Sequence, residues 1–348
     1  MVITASIGYF SLFQKGDKIK NTKTIKQELI GCLDEKKEVS YKIEEKESPL
    51  ADVIVFVNDK FTGKELSSFK IENIRKNYHP IELHQCGVYV IKMFNYDPKK
   101  TKQDPGYKTE LWKYDYSNKG KPVVLFHEKI DENGIKTYKS YYGTDFRVNP
   151  SEKYVALEKW TLTEFDRGGF VDGKDLSMAI KNLETKEDVF VLPANEIQKK
   201  NPNLAGGFDM REWTKDGRYF WGDIFDGADT LAFFRIEADT WKWEIFEAPA
   251  GTMGGTAFNS EYGYITYDDG PPWTGDVEFD EINKEKWLKE SKKVHFYLYN
   301  LFTKKQILLA TVDDPLWSFK PKWLSDTELQ YELPSGEKKI YKIYDESI

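Results

Sequence analysis

The chain has 348 residues, enough to bury a large core in one or two domains. Its 51 basic and 58 acidic residues are well mixed and leave a net charge of −7. That balance argues against a nucleic-acid footprint and describes a surface that repels anionic partners.

The first thirteen residues, MVITASIGYFSLF, are apolar but shorter than the roughly 20 residues a spanning helix needs. They lack the basic start and cleavage site of a complete signal peptide. Two readings stay open: the outer end of a truncated signal anchor, or an ordinary strand or helix. The polar stretch that follows suits a tether, so residues 1–37 read as an N-terminal extension. Cys32 and Cys86 are the only cysteines, and the four histidines are scattered, a poor pattern for zinc. The two cysteines are either buried reduced thiols or one disulfide closing a long loop, and the second requires an oxidising compartment. His84 lies two residues before Cys86, and on a strand the pair would share a face, the remaining route to a reactive thiol.

From Val53 onward, alternating apolar runs of period two are separated by turn residues, the strand-and-hairpin signal, and helical periodicity is weak. Aromatic residues make up 15% of the chain and suit half-buried strands. One hairpin type turns at Gln-Cys-Gly within residues 81–94, then recurs at 145–157, 209–221, 255–267 and 317–333. The copies at 145 and 209 both open with Asp-x-Arg, pass a polar turn and enter a Tyr-led apolar run. A second type starts at Val53, Thr109, Leu176, Thr230 and Val294, and Asn-Leu-x-Thr-Lys marks its turn at Asn182 and, with one extra residue, at Asn300. Between the types lies a Gly-rich stretch, residues 164–175, that reads as a long mobile connection without the glycine order of a phosphate cradle.

Two consecutive hairpins make a four-stranded antiparallel meander, which cannot bury both faces alone; stacking copies around an axis solves this. The expected fold is all-β, a β-propeller over residues 38–348, with units beginning near Val39, Pro80, Lys139, Gly207, Gly254 and Leu316. That count is six, with five or seven also open. The last unit has room for three strands, and its fourth is expected from the N-terminal region.

The pattern apolar-x-Pro-x-Trp-Ser-x-Asp-x-x-apolar is matched best at FKPKWLSDTELQYEL and REWTKDGRYFW, with RVNPSEKYVAL a partial match. This resembles the WD40-like repeat of TolB-type propellers. The resemblance covers roughly residues 80–344 and implies a propeller fold. No segment matches the N-terminal partner domain of TolB, so a binding role does not carry over directly.

For chemistry, Asp145 and Asp209 on first strands, with Arg147 and Arg211, are the first candidates. Two carboxylates across a channel suit glycoside hydrolysis; the structural alternative is that Asp and Arg pair between blades. The segment YDDGPPWTGDVEFDE interrupts a blade and precedes a short helix-like stretch at 282–293, and such insertions on rigid scaffolds tend to bind. Its Trp273, Asp269 and Asp276 join Arg147 and Arg211 as binding candidates. Asp268, Asp269, Asp276 and Glu278 are hard donors that would suit calcium, although no EF-hand spacing is present and a solvated acidic loop is the plainer reading. A further acidic turn runs from Asp223 to Thr230. No Gly-x-Ser-x-Gly elbow, Walker loop or His-Glu-x-x-His occurs. The expectation is a non-enzymatic, monomeric scaffold without cofactor. It contacts a protein or peptide outside the cytoplasm and touches membrane only through an N-terminal anchor. A carbohydrate-active enzyme is the alternative.

Overall fold

The computed structural model describes residues 3–4, 32–46, 50–75, 81–94, 108–125, 141–165, 171–204, 207–226, 229–249, 256–271, 277–315 and 317–344. Five antiparallel sheets follow one another along the chain. The first holds β1 (Ile3–Thr4), β2 (Lys37–Glu45), β3 (Leu50–Asp59), β4 (Glu65–Arg75), β5 (Ile81–His84), β6 (Gly87–Phe94), β7 (Lys108–Tyr114) and β8 (Gly120–Leu125). Its two halves meet at one register pair, Ile74 with Lys92, so it is two meanders joined at an edge. The second sheet is β9 (Tyr141–Val148), β10 (Tyr154–Phe165), β11 (Val171–Asn182) and β12 (Asp188–Pro193). The third is β13 (Gly207–Trp213), β14 (Tyr219–Asp226), β15 (Asp229–Glu237) and β16 (Trp243–Glu247). The fourth is β17 (Phe258–Asn259), β18 (Tyr264–Asp268), β19 (Val294–Asn300) and β20 (Gln306–Val312). The fifth is β21 (Lys322–Trp323), β22 (Glu328–Glu332) and β23 (Lys338–Lys342). Sequential meanders of this kind are the construction of a β-propeller, and the fold class is all-β as expected.

The chain divides into two compact units, Met1–Pro193 and Ala194–Ile348. Inside each, neighbouring meanders share apolar faces. In the first unit, Tyr89, Ile91 and Leu111 of the first sheet cluster with Phe146, Val155, Leu157 and Ala179 of the second. In the second unit, Trp221 and Phe233 of the third sheet cluster with Ile265 of the fourth, and Tyr264 and Leu298 of the fourth with Leu329 of the fifth. The alternation of β19, buried at Val294, Phe296, Leu298 and Asn300 and half-buried between, produces this two-sided packing.

One turn type joins third to fourth strands. The Asn182 side-chain oxygen accepts the Glu184 and Thr185 N–H groups, and Asn300 accepts those of Phe302 and Thr303. Asp59 does the same for Phe61 and Thr62. Four residues after each of these, and after Glu237, the chain enters the left-handed region at Gly63, Lys186, Trp241 and Lys304. The N–H there closes back on the first residue's carbonyl at 2.8 to 2.9 Å.

Three expectations need correction. β1 pairs with β2, and the fifth sheet keeps three strands among the described residues, so no N-terminal strand joins it there. The Gly-rich stretch at 164–175 is largely sheet: Phe165 pairs with Val171, Glu164 with Asp172 and Leu162 with Gly173 across a bulged ladder. The expected helix starts earlier and ends sooner, running Val277–Lys289 (α2), and a short helix, Ala194–Lys200 (α1), follows β12. Among the described residues, no helix is long and apolar enough to cross a membrane.

Candidate functional site

Both Asp-x-Arg copies lie on the first strand of a sheet, at its edge, and alternation sends each acid and arginine to one face. Their pairing differs. Arg147 Nη1 donates to Asp145 Oδ1 at 2.9 Å and to the Phe146 carbonyl at 2.7 Å, so this copy closes on its own strand. Arg211 Nη2 instead donates to Asp223 Oδ2 on β14 at 2.5 Å. Both ion pairs lie within a sheet rather than between blades.

Asp223 is 2% exposed and stands directly opposite Asp209 in the β13–β14 register. Thr230 Oγ1 also donates to Asp223 Oδ2, at 3.3 Å, while Oδ1 is buried without a hydrogen-bond partner. Burial pushes the Asp223 carboxyl above the usual carboxylate range; Arg211 opposes the rise and the Asp209 charge adds to it. Asp209 itself is exposed and forms no ion pair among the described residues. The result is a split couple: a solvent-facing carboxylate on an edge strand beside a buried one with an open acceptor. Asp145 has no such partner. It belongs to the first unit and Asp209 to the second.

Two acids of the insertion, Asp268 and Asp269, are held by neighbouring groups. Asp269 Oδ1 accepts the His295 N–H at 2.6 Å, its Oδ2 lies 2.9 Å from His295 Nδ1, and its own N–H donates to the His295 carbonyl. Asp268 Oδ1 accepts the Gly270 N–H, and burial raises the Asp268 carboxyl. These carboxylates close the base of the insertion. Among the described residues, no group of three or more His, Cys, Asp or Glu could hold a metal ion. Trp273 and Asp276 lie outside the described residues, and Glu278 is placed only as backbone in α2. The helix is anchored by Trp287, which packs against the cluster of Val294, Phe296, Phe319 and Tyr331, while Ile282 is 60% and Leu288 50% exposed.

Cys32 and Cys86 form a disulfide. Cys86 sits in the β5–β6 turn beyond the strand that carries His84, and the His84 ring lies 3.2 Å from Glu82, so no His–thiol pair exists. Around the disulfide, Glu152 from the β9–β10 turn accepts the Cys86 N–H at 2.6 Å and the Tyr89 hydroxyl at 2.9 Å, and pairs with Lys113 at 2.5 Å. Burial, followed by the Glu152 charge, drives the Tyr89 hydroxyl far above its ordinary range. Glu261 repeats the role in the second unit: from the β17–β18 turn it accepts the Lys215 N–H of the β13–β14 turn at 2.6 Å. In each case a glutamate in the first hairpin turn of a meander caps the first hairpin turn of a preceding one. Sequence reasoning missed both, because Ser-Glu in a turn looks like solvated polarity.

No family model matches the chain, and no curated protein matches it. Solved structures do. TolB from Acinetobacter baumannii is 11% identical, with 92% of this chain and 67% of that one covered and a TM-score of 0.38. The Dos1 propeller is 10% identical, with 86% of this chain and 67% of that one covered and a TM-score of 0.39. An oligogalacturonate lyase in complex with manganese is 10% identical, with 88% and 97% covered and a TM-score of 0.35. A TolB propeller is thus among the structures this chain is similar to, in keeping with its repeat pattern. At these scores the likeness carries no argument about activity.

Proposed function

We propose that this protein is a non-enzymatic scaffold that contacts a protein or peptide outside the cytoplasm. The observation that carries the reading is the fate of the repeated arginines: Arg147 and Arg211 are held by carboxylates of their own sheets, a structural use of the motif. The contact surface includes the insertion, where α2 is anchored through Trp287 and turns Ile282 and Leu288 to solvent. The Cys32–Cys86 disulfide supports an oxidising compartment.

A photo-crosslinking side chain placed at Ile282 is expected to trap one discrete protein partner in cells, and Leu288→Glu in the same chain to reduce the adduct several-fold. Failure to trap any partner from position 282 or 288 would remove the reading. The second reading, glycoside chemistry, draws on the split Asp209–Asp223 couple, since acid and base roles require carboxylates in unlike environments. It predicts polysaccharide cleavage that Asp209→Asn abolishes without unfolding the chain.

A further inference from the structure

Among the described residues the fifth sheet has three strands, where the second, third and fourth each have four. Its last strand, β23, therefore keeps a free edge, whereas the third strands of those sheets, β11, β15 and β19, are paired on both sides. The ladder says which groups lie along that edge. The Leu333 N–H donates to the Glu337 carbonyl and the Ile343 N–H to the Thr327 carbonyl, and between them the register runs evenly from Glu332 with Lys338 to Glu328 with Lys342. Alternate residues of an antiparallel strand bond to one neighbour, so Lys339 and Tyr341 bond inward, and the N–H and C=O groups of Lys338, Ile340 and Lys342 point out of the sheet. On β22 the complementary residues bond the other way: the Glu332 N–H reaches the Phe319 carbonyl, and the Glu328 carbonyl accepts the Leu324 N–H. The side chains of Lys338, Ile340 and Lys342 share one face, where Ile340 is 53% exposed and both lysines are exposed. Across the ladder they meet Glu332, Gln330 and Glu328. Glu328 pairs with Lys342 at 2.7 Å, but Glu332 is taken by Lys320 at 3.1 Å, and Lys338 has no ion pair among the described residues.

We infer that this edge takes up, as a fourth strand, an extended segment of a partner protein whose alternate residues read acid, apolar, acid. The outward main-chain groups of Lys338, Ile340 and Lys342 supply the affinity, and their side chains select the sequence. An acid opposite Lys338 meets a charge without a counter-ion, and an apolar side chain opposite Ile340 covers exposed surface. A second copy of the chain fits poorly. Two β23 strands set antiparallel about Ile340 would place each Lys338 against a Lys342, and like charges directly opposite destabilise a strand pair. The edge is separate from the insertion that carries Ile282 and Leu288, so the two surfaces stand or fall independently.

The test uses the full chain. Residue-resolved amide exchange in the free protein is expected to be fast at Lys338, Ile340 and Lys342 and slower at Lys339 and Tyr341. Slow exchange at all of them, as a strand from the chain itself or from a second copy would cause, overturns the inference. A fluorescent, end-blocked peptide, Thr-Glu-Thr-Val-Thr-Glu-Thr, is then expected to bind saturably at low ionic strength and to slow the three outward amides. The same peptide with lysine for both glutamates, or with N-methylvaline for valine, is expected to bind at least about tenfold more weakly. Lys338→Glu is expected to weaken binding about fivefold. Ile340→Pro, which removes one outward N–H at an edge where proline is tolerated, is expected to abolish the protection the peptide confers. No saturable binding, equal binding of the lysine peptide, or unchanged affinity in both variants removes this site. A partner trapped from position 282 would then leave the scaffold reading in place, and peptide binding without a trapped partner does the reverse.

Discussion

Glu152 and Glu261 show how one carboxylate per turn locks neighbouring meanders. Each accepts a backbone N–H from a hairpin turn of a preceding meander, and Glu152 also takes the Tyr89 hydroxyl and Lys113. Glu152→Ala strands a buried donor and is expected to cost about 1–3 kcal/mol of unfolding free energy in denaturant titration, with Glu152→Gln costing less. A loss below 0.5 kcal/mol, on the order of a surface substitution, would show that the latch is idle. Asp52 works through charge. Desolvation opposes its ionisation, but Lys46 at 2.6 Å, Lys70 at 2.9 Å and the Asn73 N–H outweigh it and hold the carboxyl down to about 2. A depressed folded value means the stabilisation is present above the unfolded value near 3.8 and fades as pH falls toward 2. Melts between pH 5 and pH 2 should lose roughly 2 kcal/mol that Asp52→Asn does not lose over the same interval. At this scale little was visible in the sequence. The Asp-x-Arg motif drew notice to Arg211, but a carboxylate that holds it, Asp223, sits twelve residues away and is set by strand register.

Secondary elements were far more readable, because their signals are local. The hairpin turns at Gln85–Cys86, Asn182 and Asn300 follow from turn chemistry within five residues, and the structure places turns at each. Where pairing overrides local chemistry, reading failed: Gly173 in the 164–175 stretch suggested a loop, yet β10 and β11 pair across it. The third-strand turns offer a direct test. Lys304 has φ of 57°, a region that penalises a side chain by roughly 1–2 kcal/mol, partly offset by the chain entropy glycine loses. Lys304→Gly is expected to raise stability by about 0.5–1 kcal/mol, as Gly63 already illustrates at the equivalent position, and a destabilised variant would refute the assignment. The disulfide joins residues 54 apart, and Cys32→Ser with Cys86→Ser is expected to cost roughly 2–4 kcal/mol. Mass spectrometry of protein made under oxidising conditions should find Cys32 linked to Cys86; two free thiols would contradict it.

For the molecule as a whole, the repeat was legible because stacked meanders need the same alternation every time, and repetition multiplies a weak local signal. Function was not, since it resides in sites placed on a fold rather than in the fold. The expectation of a monomer is checked by sedimentation velocity at micromolar concentration, which should give one boundary with the mass of one chain; a dimer would overturn it.

The clasp between Asp269 and His295 has an evolutionary reading. It ties together the two ends of the excursion that leaves the fourth sheet after β18 and returns at β19, where Asp268 already pairs with Phe296. The two strands are therefore joined at that knot, while Trp287 of the excursion still packs on their core. Changes that keep that tryptophan in place can alter the outward side of the helix without disturbing the strands, making this stretch the place where a lineage would exchange one specificity for another.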